Sequence, residues 1–442
     1  MKRILLSLVL FSLFNTAFNT ATYSAEVFIG VHGEVTSKIY SARLASFKGP
    51  ADGSVNAEDF QNIVRSDLYL SRYFDIKESP ENAVKFNKDG LPDYSRADSQ
   101  YIITGEFSTP ESEGRWIFTG TLYDMKGEDG KGRILLKKKY KGGMKALRPS
   151  AHLFSDAVVE KITGNKGIAH SRITFSNDSV NGKKEIFVAD YDGGNLKKIT
   201  SDQNVNILPK WSRDGSRIYY TTYKYGNPDI YEINFRQGKI NKVYTKQGLN
   251  VPGNTSPDDL KLIMVSSPDR NDPGIYTLDL TNNSAEKLMT GNNGLVAAPS
   301  WSPDGKKVAF TSDKSGNPQI HIYNTETKKT IKLTKMNWCD SPVWSPDGER
   351  IVFAGRDGPK EKFNIFVSDA GGSKIVRLTL KQGHNRNPVW SPDGRFIAFT
   401  SDRDSRDPRK KQQRIYIMDA DGSAQHLLVD VPGNSYTPSW SN

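Results

Sequence analysis

Over the C-terminal two thirds of the chain, apolar residues come in short runs separated by breaks rich in Gly, Asp and Asn. Lys307-Val-Ala-Phe-Thr311, Arg350-Ile-Val-Phe-Ala354 and Arg395-Phe-Ile-Ala-Phe-Thr400 are β-rich. A second run follows each: Gln319-Ile-His-Ile-Tyr323, Asn364-Ile-Phe-Val367 and Arg414-Ile-Tyr-Ile-Met418. A short third appears at Ile331-Lys-Leu-Thr334 and Val376-Arg-Leu-Thr379. Runs of this length bounded by turn residues predict strands rather than helices. With the Pro-x-Trp stretch ahead of each set, they form four-strand units, A to D.

The units repeat. Trp-Ser-Pro-Asp-Gly stands at Trp301 to Gly305, Trp344 to Gly348 and Trp390 to Gly394, with Trp211-Ser-Arg-Asp-Gly215 a near copy and Thr255-Ser-Pro-Asp-Asp259 a worn one. The steps from Trp211 are 44, 46, 43, 46 and 50 residues, ending at Trp440. Such a period with strand-like filling means propeller blades. The motif is turn chemistry: Pro presets φ, Asp bonds local backbone, and Gly turns to positive φ. Asp214, Asp304, Asp347 and Asp393 could be read as a metal-binding ring, but their turn position favours a structural role. Pro209, Pro299, Pro342, Pro388 and Pro438 cannot donate to a ladder, which makes strand A a sheet edge, the one lining a propeller's channel.

Arg172-Ile-Thr-Phe175, Glu185-Ile-Phe-Val-Ala189 and Lys197-Lys-Ile-Thr200 supply B, C and D of a first blade without a strand A of its own. Tyr436-Thr-Pro-Ser-Trp440 is a strand A with nothing after it. The expected fold is therefore mainly β: a six-bladed propeller over 166–442, closed by the C-terminal strand. Residues 26–165 lack the repeat and predict a small α+β domain. Strands are expected at Val27–Val31, Ala42–Phe47, Tyr101–Thr104, Trp116–Tyr123 and Ile134–Tyr140. A helix should start at Asn56 and bury Phe60, Ile63, Val64 and Leu68, and a second, over Pro149–Ile162, should bury Phe154, Ala157, Val158 and Ile162.

Composition refines this picture. Met1-Lys-Arg3, the apolar Ile4 to Phe14 and small residues up to Ala25 read as an export signal over 1–25, with mature start at Glu26 or a cut nearer Ala21. The apolar run is too short to span a bilayer, so no direct membrane insertion is expected. Without Lys2 and Arg3 the formal charge falls from +11 to +9, suited to an acidic partner and too diffuse to argue nucleic acid. The single cysteine, Cys339, excludes an internal disulfide and is expected to be a partly buried thiol. Histidines 32, 152, 170, 321, 384 and 426 show no metal-ligand spacing, and the sequence implies no metal and no cofactor. Lys137-Lys-Lys139 reads as a solvated strand face, and the insertion Arg403–Arg414 as a solvated hairpin tip.

The export signal, the small α+β domain and the six-bladed run of Pro-x-Trp-Ser-Pro-Asp-Gly repeats ending in Pro438-Ser-Trp440 together resemble the TolB family of the Tol-Pal system. The resemblance covers the whole chain, and the third copy departs from it at Thr255 and Asp259. It implies a non-enzymatic periplasmic adaptor, monomeric by itself, that supports outer-membrane constriction during cell division. It would bind the lipoprotein Pal through the propeller and TolA through the mature N-terminal segment, here Glu26, Val27, Phe28, Ile29, Val31 and Glu34. That segment could equally be the first strand of the small domain.

In an A-to-D meander the D-to-A and B-to-C connections share one face, and these loops carry the variety. On that face His384, Arg386, Asp340, Trp338 and Asn206, with Asn204, Asn250 and Tyr436, are the expected Pal contacts, since Arg and aromatic side chains commonly anchor interfaces. The rival reading is an exported propeller hydrolase, lactonase-like or glycan-acting, using channel carboxylates. A prolyl-oligopeptidase-like enzyme is disfavoured, because no Gly-x-Ser-x-Gly elbow occurs.

Overall fold

A computed structural model describes residues 38–50, 52–78, 99–109, 114–126, 132–180, 182–268, 273–291, 294–404 and 412–442. The export signal, the expected Val27–Val31 strand and most of the Arg403–Arg414 insertion lie outside them.

The N-terminal unit is a five-stranded sheet under two helices. Its strands are β1 (Tyr40–Leu44), β2 (Phe74–Glu78), β3 (Tyr101–Ser108), β4 (Trp116–Asp124) and β5 (Arg133–Gly142), in the order β2-β1-β3-β4-β5. Helix α1 (Ala57–Leu70) is capped by Asn56, whose side chain accepts from Glu58 N at 3.1 Å. Phe60, Val64 and Leu68 are fully buried along one stripe, with Ile63 at its margin. Phe60 meets Phe118 with ring centroids 4.2 Å apart, and Phe118 meets Phe154 of α2 (Leu147–Thr163) edge-on at 5.3 Å. Lys137, Lys138 and Lys139 are exposed on β5, as expected.

Two details differ from the sequence reading. Strand β2, parallel to β1, was not foreseen, because Phe-Asp-Ile-Lys-Glu is too short and too charged to stand out. Ala157 is only half-buried, whereas His152, Ser155 and Asp156 are buried. Helix α2 has two covered sides: one packs on the sheet and the other faces the propeller.

The propeller has six four-stranded blades. Its inner strands A are Ser435–Trp440, Asn206–Trp211, Asn250–Thr255, Val296–Trp301, Trp338–Trp344 and Asn385–Trp390, taken from the first blade to the sixth. Ser435–Trp440 pairs antiparallel with Arg172–Val180, placing Tyr436 opposite Ser176 and Trp440 opposite Ile173. The two ends of the domain thus share one blade, as the repeats implied.

Every strand A carries a bulge shortly before its Trp position, and in five blades it includes the residue three before it. In five blades that residue is left-handed: Leu208, Ala298, Ser341, Asn387 and Thr437 have φ between 49° and 56°. Each precedes the Pro of Pro-x-Trp, whose ring disfavours the right-handed helical region for its predecessor. The third blade holds Pro252 at that position, which cannot adopt positive φ.

The Asp residues of the repeat serve their turns. Asp304, Asp347 and Asp393 accept from the preceding Ser hydroxyl at 2.5 Å and from a backbone N–H two residues on. Two residues past three short D strands stand Thr200, Thr334 and Thr379, each hydroxyl accepting from the amide of Ile186, Ile320 or Ile365 on strand C at 2.9 to 3.0 Å. Basic residues opening strand B lie over the Trp of the next blade: Arg172 over Trp211 at 4.6 Å and Arg350 over Trp390 at 4.7 Å. Cys339 is fully buried rather than partly so, and burial pushes its thiol up to about 12, which leaves it unreactive.

Candidate functional site

The two faces of the propeller have different fates. The turn face, bearing the A-to-B and C-to-D turns, is where the N-terminal unit sits. Arg148 bonds Asp190 at 2.7 Å and Asp192 at 2.6 Å, both at the first blade's C-to-D turn. Tyr191 donates to Asp67 at 3.0 Å, and His152 Nδ1 lies 2.9 Å from the same carboxylate. In the sixth blade the Arg395 guanidinium, which by the blade pattern would lie over the next Trp, instead covers Tyr73 at 3.7 Å and donates to Ser71 O.

Burial opposes the charge on His152. The Asp190 carboxylate 3.6 Å from Nε2 and the Asp67 carboxylate bonded to Nδ1 outweigh that effect and lift it from 6.5 to about 9. Burial pushes Asp67 up, whereas at Asp190 burial is outweighed by His152 and Arg148, which hold that carboxyl low.

The opposite face, carrying the D-to-A and B-to-C loops, is not used by these domain contacts. There the structure brings together four expected residues. Trp338 Nε1 donates to Asp340 at 3.0 Å, and Arg386 approaches the same carboxylate at 3.9 Å, beyond hydrogen-bond range. The Arg386 guanidinium lies 3.6 Å above the ring of Phe363, whose centroid is 6.3 Å from both the Trp338 and His384 rings. His384 Nδ1 accepts from Phe363 N at 3.3 Å.

Gly383, at φ +85°, fixes the approach of this loop. A Cβ there would lie 2.5 Å from the Asp402 carboxylate, the group that accepts from His384 N at 2.6 Å. Burial pushes Asp340 up against the pull of Arg386, and burial likewise lowers Arg386. The result is a half-exposed patch of Trp338, Asp340, His384 and Arg386 over the buried Phe363 ring, across the fifth and sixth blades, with the Arg386 side chain 41% exposed.

The other four expected contacts fall differently. Tyr436, half-buried two blades from Trp338, donates to Asp178 at 3.0 Å, and Lys184 lies 4.2 Å over its ring. Asn204 is half-buried and donates to Asp202 O at 2.9 Å. Asn206 and Asn250 must be corrected: both are fully buried and tie their strand A to the preceding blade. Asn206 donates to Glu185 at 3.0 Å and Asp202 at 2.8 Å, while Asn250 donates to Pro228 O at 3.0 Å and accepts from Ser266. Neither side chain is presented on the face.

Sequence reasoning missed Phe363 and Arg356, which lies 5.5 Å over Trp338. An apolar residue ending the charged stretch Lys360-Glu-Lys362 was the available signal. The expected N-terminal contacts, Glu26 to Glu34, lie outside the described residues.

The inner strands surround a channel of about 1140 Å³, bordered at the turn face by Tyr73 and residues 165–168, 170 and 171. Glycan cleavage uses two carboxylates roughly 5–10 Å apart. Among the described lining residues Asp393 is the one side-chain carboxylate, and it is engaged by Ser391 and Arg395 N.

Comparison with known proteins adds three findings. Residues 159–442 match the TolB beta propeller domain model. A protein TolB homolog of Chlorobium luteolum is 34% identical over 336 residues, covering 76% of this chain and 73% of the relative. A Tol-Pal system protein TolB of Desulfosudis oleivorans is 31% identical over 229 residues, half of each chain. In structure, TolB from Acinetobacter baumannii superposes with TM-score 0.73 at 23% identity, covering 91% of this chain and 97% of that one. That likeness shows the two-part fold.

Proposed function

The chain belongs to the TolB family, and from that membership we propose that it is a non-enzymatic adaptor of the Tol-Pal system in the periplasm. The propeller binds Pal through the loop-bearing face, and the segment Glu26 to Glu34 binds TolA. By joining the two it supports envelope integrity and outer-membrane constriction during cell division.

The observation that carries this reading is the patch of Trp338, Asp340, Phe363, His384 and Arg386 on the face left uncovered by the N-terminal unit. Arg386 is held over Phe363 yet not saturated by Asp340, so a partner's carboxylate or carbonyl can take its remaining donors. The half-buried Trp338 ring, pinned by Arg356 and packed on the buried Phe363, offers contact area with little rotamer entropy left to lose.

The test is calorimetric titration of Pal into His384→Ala/Arg386→Ala. The expected loss is about 2–4 kcal/mol, roughly thirty-fold to a thousand-fold in Kd, because interface hot spots are of that size. An unchanged Kd with the native circular-dichroism spectrum removes this face from the proposal. Deleting residues 26–34 should abolish TolA capture and spare Pal.

A further inference from the structure

The position just before the Trp position of strand A lines the channel in all six blades. Five are uncharged: Asn254, Ser300, Val343, Val389 and Ser439. The sixth is Lys210, in the second blade.

The flanking equivalents show what the position does structurally. Ser439 of the first blade accepts from Trp211 N at 3.1 Å, and Asn254 of the third accepts from Trp301 N at 2.8 Å. Each ties its blade to the next by offering an acceptor. A lysine has none to offer, so Lys210 gives up that tie. Among the described residues its ammonium also has no hydrogen-bond acceptor and no ion pair, and the half-buried side chain leaves its donors open to the channel.

The side chains around it do not compensate. Lys166 and Arg213 border the same channel, as do His170, which is paired with Asp156 at 2.5 Å, and Arg395, which is held on Tyr73 and Ser71; the one side-chain carboxylate among the described lining residues is Asp393. Asp393 is spent on its turn, and burial pushes its carboxyl up, toward the neutral form.

We propose that the channel is a binding site for a small oxyanion, a carboxylate or a phosphate, held by Lys210. The unused donors of this lysine, its place among uncharged equivalents and the positive lining carry the assignment; the partner reading above does not enter it. Burial alone pulls Lys210 from 10.5 down to about 8. A bound anion would reverse that pull, so at pH 8 binding should draw protons from solution, about half a proton per ligand for a group at its midpoint.

The experiment is isothermal titration of the full mature protein with citrate and, separately, with inorganic phosphate. It is run at pH 8, at constant ionic strength set with sodium chloride, in two buffers of different ionisation enthalpy. Saturable binding with proton uptake is expected, lost in Lys210→Met and kept in Lys210→Arg without the uptake. Binding of citrate alone assigns a carboxylate site, and of phosphate alone a phosphate site. Absence of binding for both anions overturns the proposal, as does binding that persists undiminished in a folded Lys210→Met protein.

Discussion

At the residue scale, the worn third repeat shows how one side chain replaces a lost glycine. Asp259 stands where other copies have Gly and adopts φ +57°, which costs a residue with a side chain about 1–2 kcal/mol. Its carboxylate accepts from Arg213 N at 2.8 Å and Asp214 N at 2.7 Å in the neighbouring blade, and from the Thr255 hydroxyl. Bonds to a charged acceptor are worth about 1.5–3 kcal/mol each, with the low end fitting this exposed turn. Two of them outweigh the strain. Asp259→Gly, although it restores the repeat consensus, is therefore expected to destabilise by about 1–2 kcal/mol, read from the urea midpoint. A variant more stable than the parent would show that the turn geometry dominates instead.

At the element scale, closure rests on Ser435–Trp440. Beyond its ladder with Arg172–Val180, Trp440 Nε1 donates to Ser171 at 2.8 Å, and Asn434 and Tyr436 both bond Asp178. Removing residues 435–442 should cost more than the ~3–5 kcal/mol of a buried Trp→Ala change, because it also bares the edge of strand B. The expected outcome is a much lower thermal midpoint with concentration-dependent aggregation, partly reversed by a synthetic 433–442 peptide. An unaltered midpoint would mean that the ring does not depend on this strand.

This closure was legible because Pro-x-Trp and Ser-Pro-Asp-Gly act within a few residues. The buried roles of Asn206 and Asn250 were legible too, though overlooked. Both stand five residues before the Trp position, where other blades hold Val296 and Cys339, which are core residues. The docking of the N-terminal unit was not legible. Arg148 finds Asp190 across 42 positions and Arg395 finds Ser71 across 324, and nothing local marks those partners. Phe363 was hidden for a related reason: its covering cation, Arg386, comes from the following blade.

At the scale of the whole molecule, the stereotyped face is taken by the N-terminal unit and the variable face is left uncovered by it. The hold between domains is an ionic network around His152, which is only 3% exposed. Its pKa rises from 6.5 to about 9 on folding, so its contribution is complete below pH 6.5, declines between 6.5 and 9, and is gone above. One pKa unit is 1.36 kcal/mol, which puts the full effect on the order of 3 kcal/mol. Limited proteolysis and thermal midpoints at pH 6 and pH 9.5 should show the parent protein losing stability as pH rises. The decline should be distinctly shallower in His152→Asn, whose neutral amide has no charge to lose. Equal pH slopes in the two proteins would place the proton elsewhere. Since Trp338, His384 and Arg386 lie on the other face, any Pal affinity of the kind proposed should stay the same in His152→Asn. Loosening the domains and losing the partner are separable because a rigid ring stands between the two surfaces.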